Sequence, residues 1–165
     1  MTLGYPRSVT LSALEERVLH SSDPEATRAL GAALARVARP GDLVCLWGDL
    51  GAGKTQVAKG FGEGLDVTTT VNSPTFVLMA EHDGRLPLFH LDLYRLADAH
   101  DAWAGGLLDE RQETGVTLIE WPERLGAALP AGRLDVLIEG TGDERRTIRL
   151  RAGDAGHAHY LAVAL

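Results

Sequence analysis

LVCLWGDLGAGKT, residues 43–55, decides the fold. LVCLW is a continuous apolar run, the pattern of a parallel strand buried on both faces. The next eight residues place Gly48, Gly53, Lys54 and Thr55 in the spacing G-x-x-x-x-G-K-[ST]. Residues 54–65 then read as a helix, with Gly64 as its C-cap. Strand, glycine loop and helix in that order form a phosphate cradle. Glycines let backbone N–H groups turn inward around phosphate oxygens, and the helix N-terminus adds positive potential. Lys54 is placed to reach β and γ phosphates, and Thr55 to bind Mg²⁺. Leu50, Gly51, Ala52 and Gly53 complete the cradle. Guanine-specific loops of this class use Asn-Lys-x-Asp, and the only asparagine, Asn72, precedes Ser-Pro. ATP is therefore favoured over GTP.

Upstream, SSDPEATRALGAALARVA (21–38) reads as a helix capped by Ser22 or Asp23, with Pro24 in its first turn. Downstream, TFVLMAEH (75–82) and LPLFHLD (86–92) flank Asp83-Gly84-Arg85, a hairpin signal. Residues 98–113 read as one or two short helices. VTLIE (116–120) is another buried strand, and Trp121-Pro122 opens a short helix. LDVLIEG (134–140) and RRTIRLRA (145–152) are strands joined around Gly142-Asp143. This predicts an α/β fold: a single-domain P-loop NTPase with a mixed, mainly parallel central sheet flanked by helices. Residues 1–21 read as a strand or a loosely attached extension, and 22–165 as the ATPase domain.

A P-loop enzyme needs an acid on a neighbouring strand to hold Mg²⁺ or orient water. Two apolar runs end in one, LPLFHLD at Asp92 and VTLIE at Glu120. Ligands of α/β sheets bind beyond the carboxyl ends of the strands, where both acids fall. Alternation puts His90 on the face of Asp92, either to orient it or as a core histidine. VNSPTF (71–76) lies between loop and acids, and Thr75 is 20 residues past Thr55, as on a γ-phosphate-sensing segment.

The four signatures GDLGAGKT, SPTF, HLDLYRL and IEWPE, in that order, resemble the TsaE (YjeE) family from about Asp23 to Arg151. That resemblance implies the ATPase subunit of bacterial tRNA threonylcarbamoyladenosine synthesis, with weak hydrolysis of its own. It implies partners of TsaB and TsaD type, and ATP turnover that resets their transferase complex on A37 of tRNAs reading ANN codons. Carried over, Leu50 to Thr55 would cradle phosphates, and Lys54, Asp92 and Glu120 would be catalytic. Thr55, Asp92 and Glu120 would hold Mg²⁺. Ser73 and Thr75 would sit on the nucleotide-sensing segment, Asp23 and more weakly Arg146 would touch nucleotide, and Trp121 would report on the site. Gln56 stands where the family has Thr or Ser, and the tail with His157 and His159 is unmatched. H-A-H is a metal pattern on paper, and an ordinary strand end or surface is favoured over it. Two rivals remain. One is a small P-loop kinase, for which Arg145, Arg146, Arg149 and Arg151 form no obvious lid. The other is a module in which ATP only locks a binding surface.

The formal net charge of −7 opposes lone nucleic-acid binding. Cys45 is the sole cysteine, so neither an internal disulfide nor a cysteine cluster can form, and it reads as core. No run approaches the length of a membrane span, so a soluble, cytoplasmic chain is expected. The isolated chain is expected to bind tRNA weakly, with tRNA reached only through the partner complex. Tight binding by the lone chain that falls steeply with salt in a filter assay would contradict this.

Overall fold

The computed structural model describes residues 15–74, 78–97, 100 and 109–165. In chain order the elements are β1 (Glu16–Ser21), α1 (Pro24–Arg36), β2 (Leu43–Trp47), α2 (Lys54–Gly64), β3 (Met79–His82), β4 (Leu88–Asp92), β5 (Val116–Glu120), β6 (Leu134–Glu139) and β7 (Arg146–Ala152). Short 3₁₀ segments cover Glu110–Thr114, Pro122–Ala128 and Ala155–Ala162.

The strands form one seven-stranded sheet in the order β1-β7-β6-β2-β5-β4-β3. β6, β2, β5 and β4 run parallel at its centre. The edges are antiparallel, β7 with β1 on one side and β3 on the other. This is the mixed α/β sheet expected from the apolar runs, and each of β2, β4 and β5 is buried along its whole length. The sequence of 1–21 admits a strand or a loose extension. Its described part, Glu16–Ser21, is a strand paired to Arg146–Arg151, so the folded unit begins no later than Glu16. The expected helices over 98–113 fall largely outside the described residues, and Glu110–Thr114 is a 3₁₀ turn.

Strand alternation sorts the core into two halves. Val44, Leu46, Leu88, Val116, Leu118, Val136 and Ile148 face α1 and α2. Leu43, Cys45, Trp47, Phe89, Leu91, Ile119 and Leu137 pack on the other side against Leu125. Cys45 is fully buried, and that burial pushes its thiol well above the usual range, as for a core residue. On the same side, buried Asp135 accepts from Trp47 Nε1 at 2.7 Å and from Arg133 Nε at 2.7 Å.

α1 starts as predicted. Asp23 is its N-cap, its side chain accepting from Ala26 N, with Pro24 in the first turn. At the other end Arg85, from the β3–β4 turn, donates to the carbonyls of Ala35 and Ala38 at 2.8 and 3.2 Å and so caps the helix. α2 ends differently from the prediction. Asp66, not Gly64, takes the left-handed conformation, at φ 58°. Gly64 instead lies within the helix and presses on α1, where a Cβ would sit 2.3 Å from Ala32 O. Gly60 is closer still, with a Cβ position 1.8 Å from Arg28 O. The two helices therefore touch backbone to backbone, and this fixes the N-terminus of α2.

Helix propensity alone makes Gly60→Ala stabilising by about 1 kcal/mol. The backbone contact opposes it, since a forced helix separation costs about 1–3 kcal/mol. A net loss of stability in urea unfolding is expected for Gly60→Ala, and a gain would show that the contact is looser than described.

Candidate active site

β2 ends at Trp47, and the chain must leave a buried strand and enter α2 within six residues. Gly51 and Gly53 make the turn at φ 82° and 113°, values that other residues rarely adopt. Gly53 is the N-cap of α2 and supplies no side-chain cap, so the first amides of the helix face the cleft. Lys54 is only 5% exposed. Its Nζ donates to the carbonyls of Gly48 and Asp49, the latter at 2.9 Å, and lies 4.0 Å from the centre of the Trp121 ring. Burial lowers the lysine below its ordinary range. Glu120, then Glu123, Asp49 and Asp92, pull it back.

The two strand-end acids meet because β4 and β5 are neighbours in register. Asp92 pairs with Glu120 across the parallel ladder, and both fall on the α2 side of the sheet. Glu120 is 2% exposed and Asp92 9%. Ser73 Oγ touches both, Asp92 Oδ2 closely and Glu120 Oε2 at 3.1 Å. One hydroxyl has one hydrogen, so it can satisfy only one carboxylate at a time. Asp92 Oδ1 accepts from Tyr94 N at 3.0 Å. His90 does share the face of Asp92, yet its Nε2 lies 2.7 Å from Glu120 Oε2. The histidine thus serves the neighbouring strand's acid. The alternation pattern could not show this, because it gives a face and not a lateral partner.

A cleft of about 650 Å³ gathers these groups. Every predicted loop residue, Leu50, Gly51, Ala52, Gly53, Lys54 and Thr55, lines it, as do Asp23, Ser73, Asp92, Glu120 and Trp121. Leu50 is 76% exposed, so its side chain stands out from the loop and its backbone forms the wall. Thr75 lies outside the described residues. Sequence reasoning missed Tyr94 and, in the first turn of α1, Thr27, both in the lining. Tyr94 stacks obliquely on Trp121, ring centres 4.9 Å apart. Each aromatic follows its strand-end acid by one or two residues, a signal visible only once β4 and β5 are known to be adjacent. Trp121 itself adopts a left-handed backbone at φ 59° and ψ 49°, an uncommon conformation for a bulky residue, and caps the segment after β5.

The oxygen-rich set of Thr55, Ser73, Asp92 and Glu120 suits a hard cation that keeps waters and shares a phosphate. Among the described residues no group of three or more His, Cys, Asp or Glu is placed to hold a metal ion. The tail histidines are packed at the amino end of β2. His157 is held between Leu43 N at 3.1 Å and Asp154 Oδ1 at 2.7 Å, and His159 lies beside Tyr160. Of the four arginines weighed for a lid, Arg149 and Arg151 pair with Glu16. Arg146 binds the phosphate loop itself, donating to Ala52 O at 2.8 Å.

Comparison with known proteins places the chain in a family. The family model for the threonylcarbamoyl adenosine biosynthesis protein TsaE matches residues 21–148. The chain is 45% identical over 131 residues to the tRNA threonylcarbamoyladenosine biosynthesis protein TsaE of Bacillus subtilis, covering 79% of this chain and 82% of that one. It is 38% identical over 128 residues to the TsaE protein of Treponema pallidum, covering 78% and 95%. The crystal structure of Bacillus subtilis YdiB superposes with a TM-score of 0.76 at 35% identity, covering 92% of this chain and 95% of that one. The chain belongs to the TsaE family, whose members serve tRNA threonylcarbamoyladenosine biosynthesis. Among the described residues no helix is long and apolar enough to cross a membrane.

Two buried carboxylates sharing one hydroxyl repel each other, and removing one charge relieves that repulsion. Asp92→Asn keeps an acceptor for Tyr94 N and is expected to raise the melting temperature of the ligand-free chain by about 2–4 °C. An unchanged or lower value in calorimetry would show that the acids are not in conflict.

Proposed function

We propose that this TsaE-family chain is the ATP-binding, slowly hydrolysing subunit of threonylcarbamoyladenosine formation at A37 of tRNAs reading ANN codons. It works with TsaB and TsaD type proteins, and its turnover resets their transferase complex. The observation that carries the reading is the placement of Asp92 and Glu120 side by side, facing the cleft that Lys54 and the loop also line. Family membership supports the pathway, and the acidic surface supports contact with tRNA through partners rather than alone.

In this reading Lys54 holds β and γ phosphate oxygens, and the loop amides and the N-terminus of α2 hold the rest of the phosphate chain. Thr55, Asp92 and Glu120 hold Mg²⁺ directly or through water. The ion, when bound, neutralises charge developing on the phosphate oxygens. The protein's own work is orientation. His90 fixes Glu120 from below, Tyr94 N–H fixes Asp92, and Ser73 spans the two. Either carboxylate, so held, can orient an attacking water and receive its proton. Trp121 and Tyr94 cover the lysine side of the cleft and limit water there.

A kinase reading is less well supported, because Arg149 and Arg151 are tied to Glu16 and do not reach over the cleft. A pure binding module differs from a hydrolysing subunit in one residue's effect. Glu120→Gln, which keeps the His90 contact, is expected to bind MgATP within a few-fold of wild type. It should lose hydrolysis by about 10²-fold or more in the presence of the TsaB–TsaD pair. It should also stop repeated tRNA modification. Lys54→Ala is expected to weaken MgATP binding about ten- to a hundredfold. Modification that continues unchanged in Glu120→Gln would favour the binding module, and wild-type affinity in Lys54→Ala would remove the phosphate-loop assignment.

A further inference from the structure

We propose that Arg146 is a positioning residue that holds the phosphate loop in its binding shape and ties it to the β6–β7 turn. The inference rests on the nucleotide reading above and adds to it a part of the site outside the loop motif.

The argument starts from strand parity. Ile148 and Leu150 of β7 point into the core half that faces α1 and α2. Arg146 has the same parity, two and four residues earlier, so it projects to the side of the sheet on which the loop lies. Arg149 has the opposite parity and meets Glu16 on β1, as does Arg151. β7 runs antiparallel to β6, so its first residue lies at the carboxyl end of the central strands, level with the loop.

The guanidinium donates to four backbone carbonyls. Two belong to the loop, Ala52 O at 2.8 Å and Gly51 O at 3.4 Å. Two belong to the turn, Gly142 O at 2.9 Å and Glu144 O. A planar fork with five N–H groups can span both, whereas a single ammonium on a flexible stem cannot do so with fixed geometry.

The loop needs such an anchor. Gly48, Gly51 and Gly53 give it the freedom to turn, and the same freedom costs entropy when the loop must hold one shape. Lys54 fixes its first half through Gly48 O and Asp49 O. Arg146 fixes the second half through Gly51 O and Ala52 O. In a trans peptide the C=O and the following N–H point in opposite directions. Tying Ala52 O to the guanidinium therefore turns Gly53 N–H away from Arg146, and Gly53 is the residue from which α2 and its free amides begin. The role differs from contact with the nucleotide itself, because the bonds to the loop are formed with protein carbonyls alone.

The test compares the full-length wild type with Arg146→Ala and Arg146→Lys. Hydrogen exchange by mass spectrometry is read on peptides covering residues 48–55 without nucleotide. MgADP and MgATP binding is read by calorimetry. In both variants the loop amides are expected to exchange about tenfold faster, because the anchored shape opens more often. Both nucleotides are expected to bind more weakly by about ten- to a hundredfold and by similar factors, with the melting temperature little changed. Unchanged exchange with weakened binding would overturn the proposal and make Arg146 a direct nucleotide contact. So would a loss confined to MgATP, or full recovery in Arg146→Lys. Wild-type protein that binds neither nucleotide would overturn the nucleotide reading, and the exchange comparison would still decide whether Arg146 holds the loop.

Discussion

The buried ammonium of Lys54 is the feature around which the rest of the site is arranged. A charge taken out of water costs several kcal/mol unless it is paired or hydrogen-bonded. Here it sits 5% exposed at the mouth of a parallel sheet, where a strand end, a helix start and two neighbouring strand ends converge. Each compensation it receives comes from an element with its own reason to be there. The carbonyls of Gly48 and Asp49 come from the loop, the Trp121 face from the residue after β5, and negative potential from Glu120 first among the acids. All of these belong to the protein, so a phosphate chain entering the cleft competes with weak tethers for the lysine, not with a committed ion pair.

That arrangement depends on a rigid platform. α1 and α2 meet at Gly60 and Gly64 with no side chain between their backbones, and Arg85 caps the far end of α1. The N-terminus of α2, which presents the loop, is therefore located by close contact and not by side chains that could rearrange. Conformational freedom is left to the loop glycines, and strain to Trp121, whose left-handed backbone turns its ring back over Lys54.

Much of this was legible in the sequence because it is local. LVCLW, the glycine loop and the helix after it are consecutive, and Asp92 and Glu120 each close an apolar run. The rule that ligands bind beyond the carboxyl ends of the strands then put both acids at one end of the sheet. What stayed hidden depends on lateral order and on long-range partners. Periodicity shows that His90 and Asp92 share a face. It does not show that β5 lies alongside β4, and so it cannot name Glu120 as the partner of His90. Arg146 was visible as one of four arginines on a strand and, through the family resemblance, as a weak nucleotide contact. Its separation from Arg149 by parity was readable, but its target, 94 residues earlier in the chain, was not. Gly64 was misread as a helix stop because a glycine near a helix end serves equally as a cap or as a contact surface, and the choice belongs to α1.

The two ends of the same sheet carry similar groups in different arrangements. The amino end of β2 also carries a buried acid, histidines and an aromatic: Asp42, His157, His159 and Tyr160. There Asp42, His157 and Tyr160 satisfy one another, while His159 is buried with neither ring nitrogen hydrogen-bonded, its Nε2 lying 3.4 Å from Asp42 Oδ2. Asp42 Oδ2 accepts from Tyr160 OH at 2.6 Å and from Arg39 N at 2.8 Å. His157 uses both ring nitrogens, and burial with the Asp42 contact holds the Tyr160 phenol far above its usual range. At the carboxyl end two acids share one serine hydroxyl, a lysine leans on carbonyls and a ring, and helix amides stand uncapped. The ingredients are similar, and the difference is the uncapped start of α2 beside two acids on neighbouring strands. A closed network rigidifies the fold, while an open one beside a helix N-terminus gains from an anion and its counter-ion.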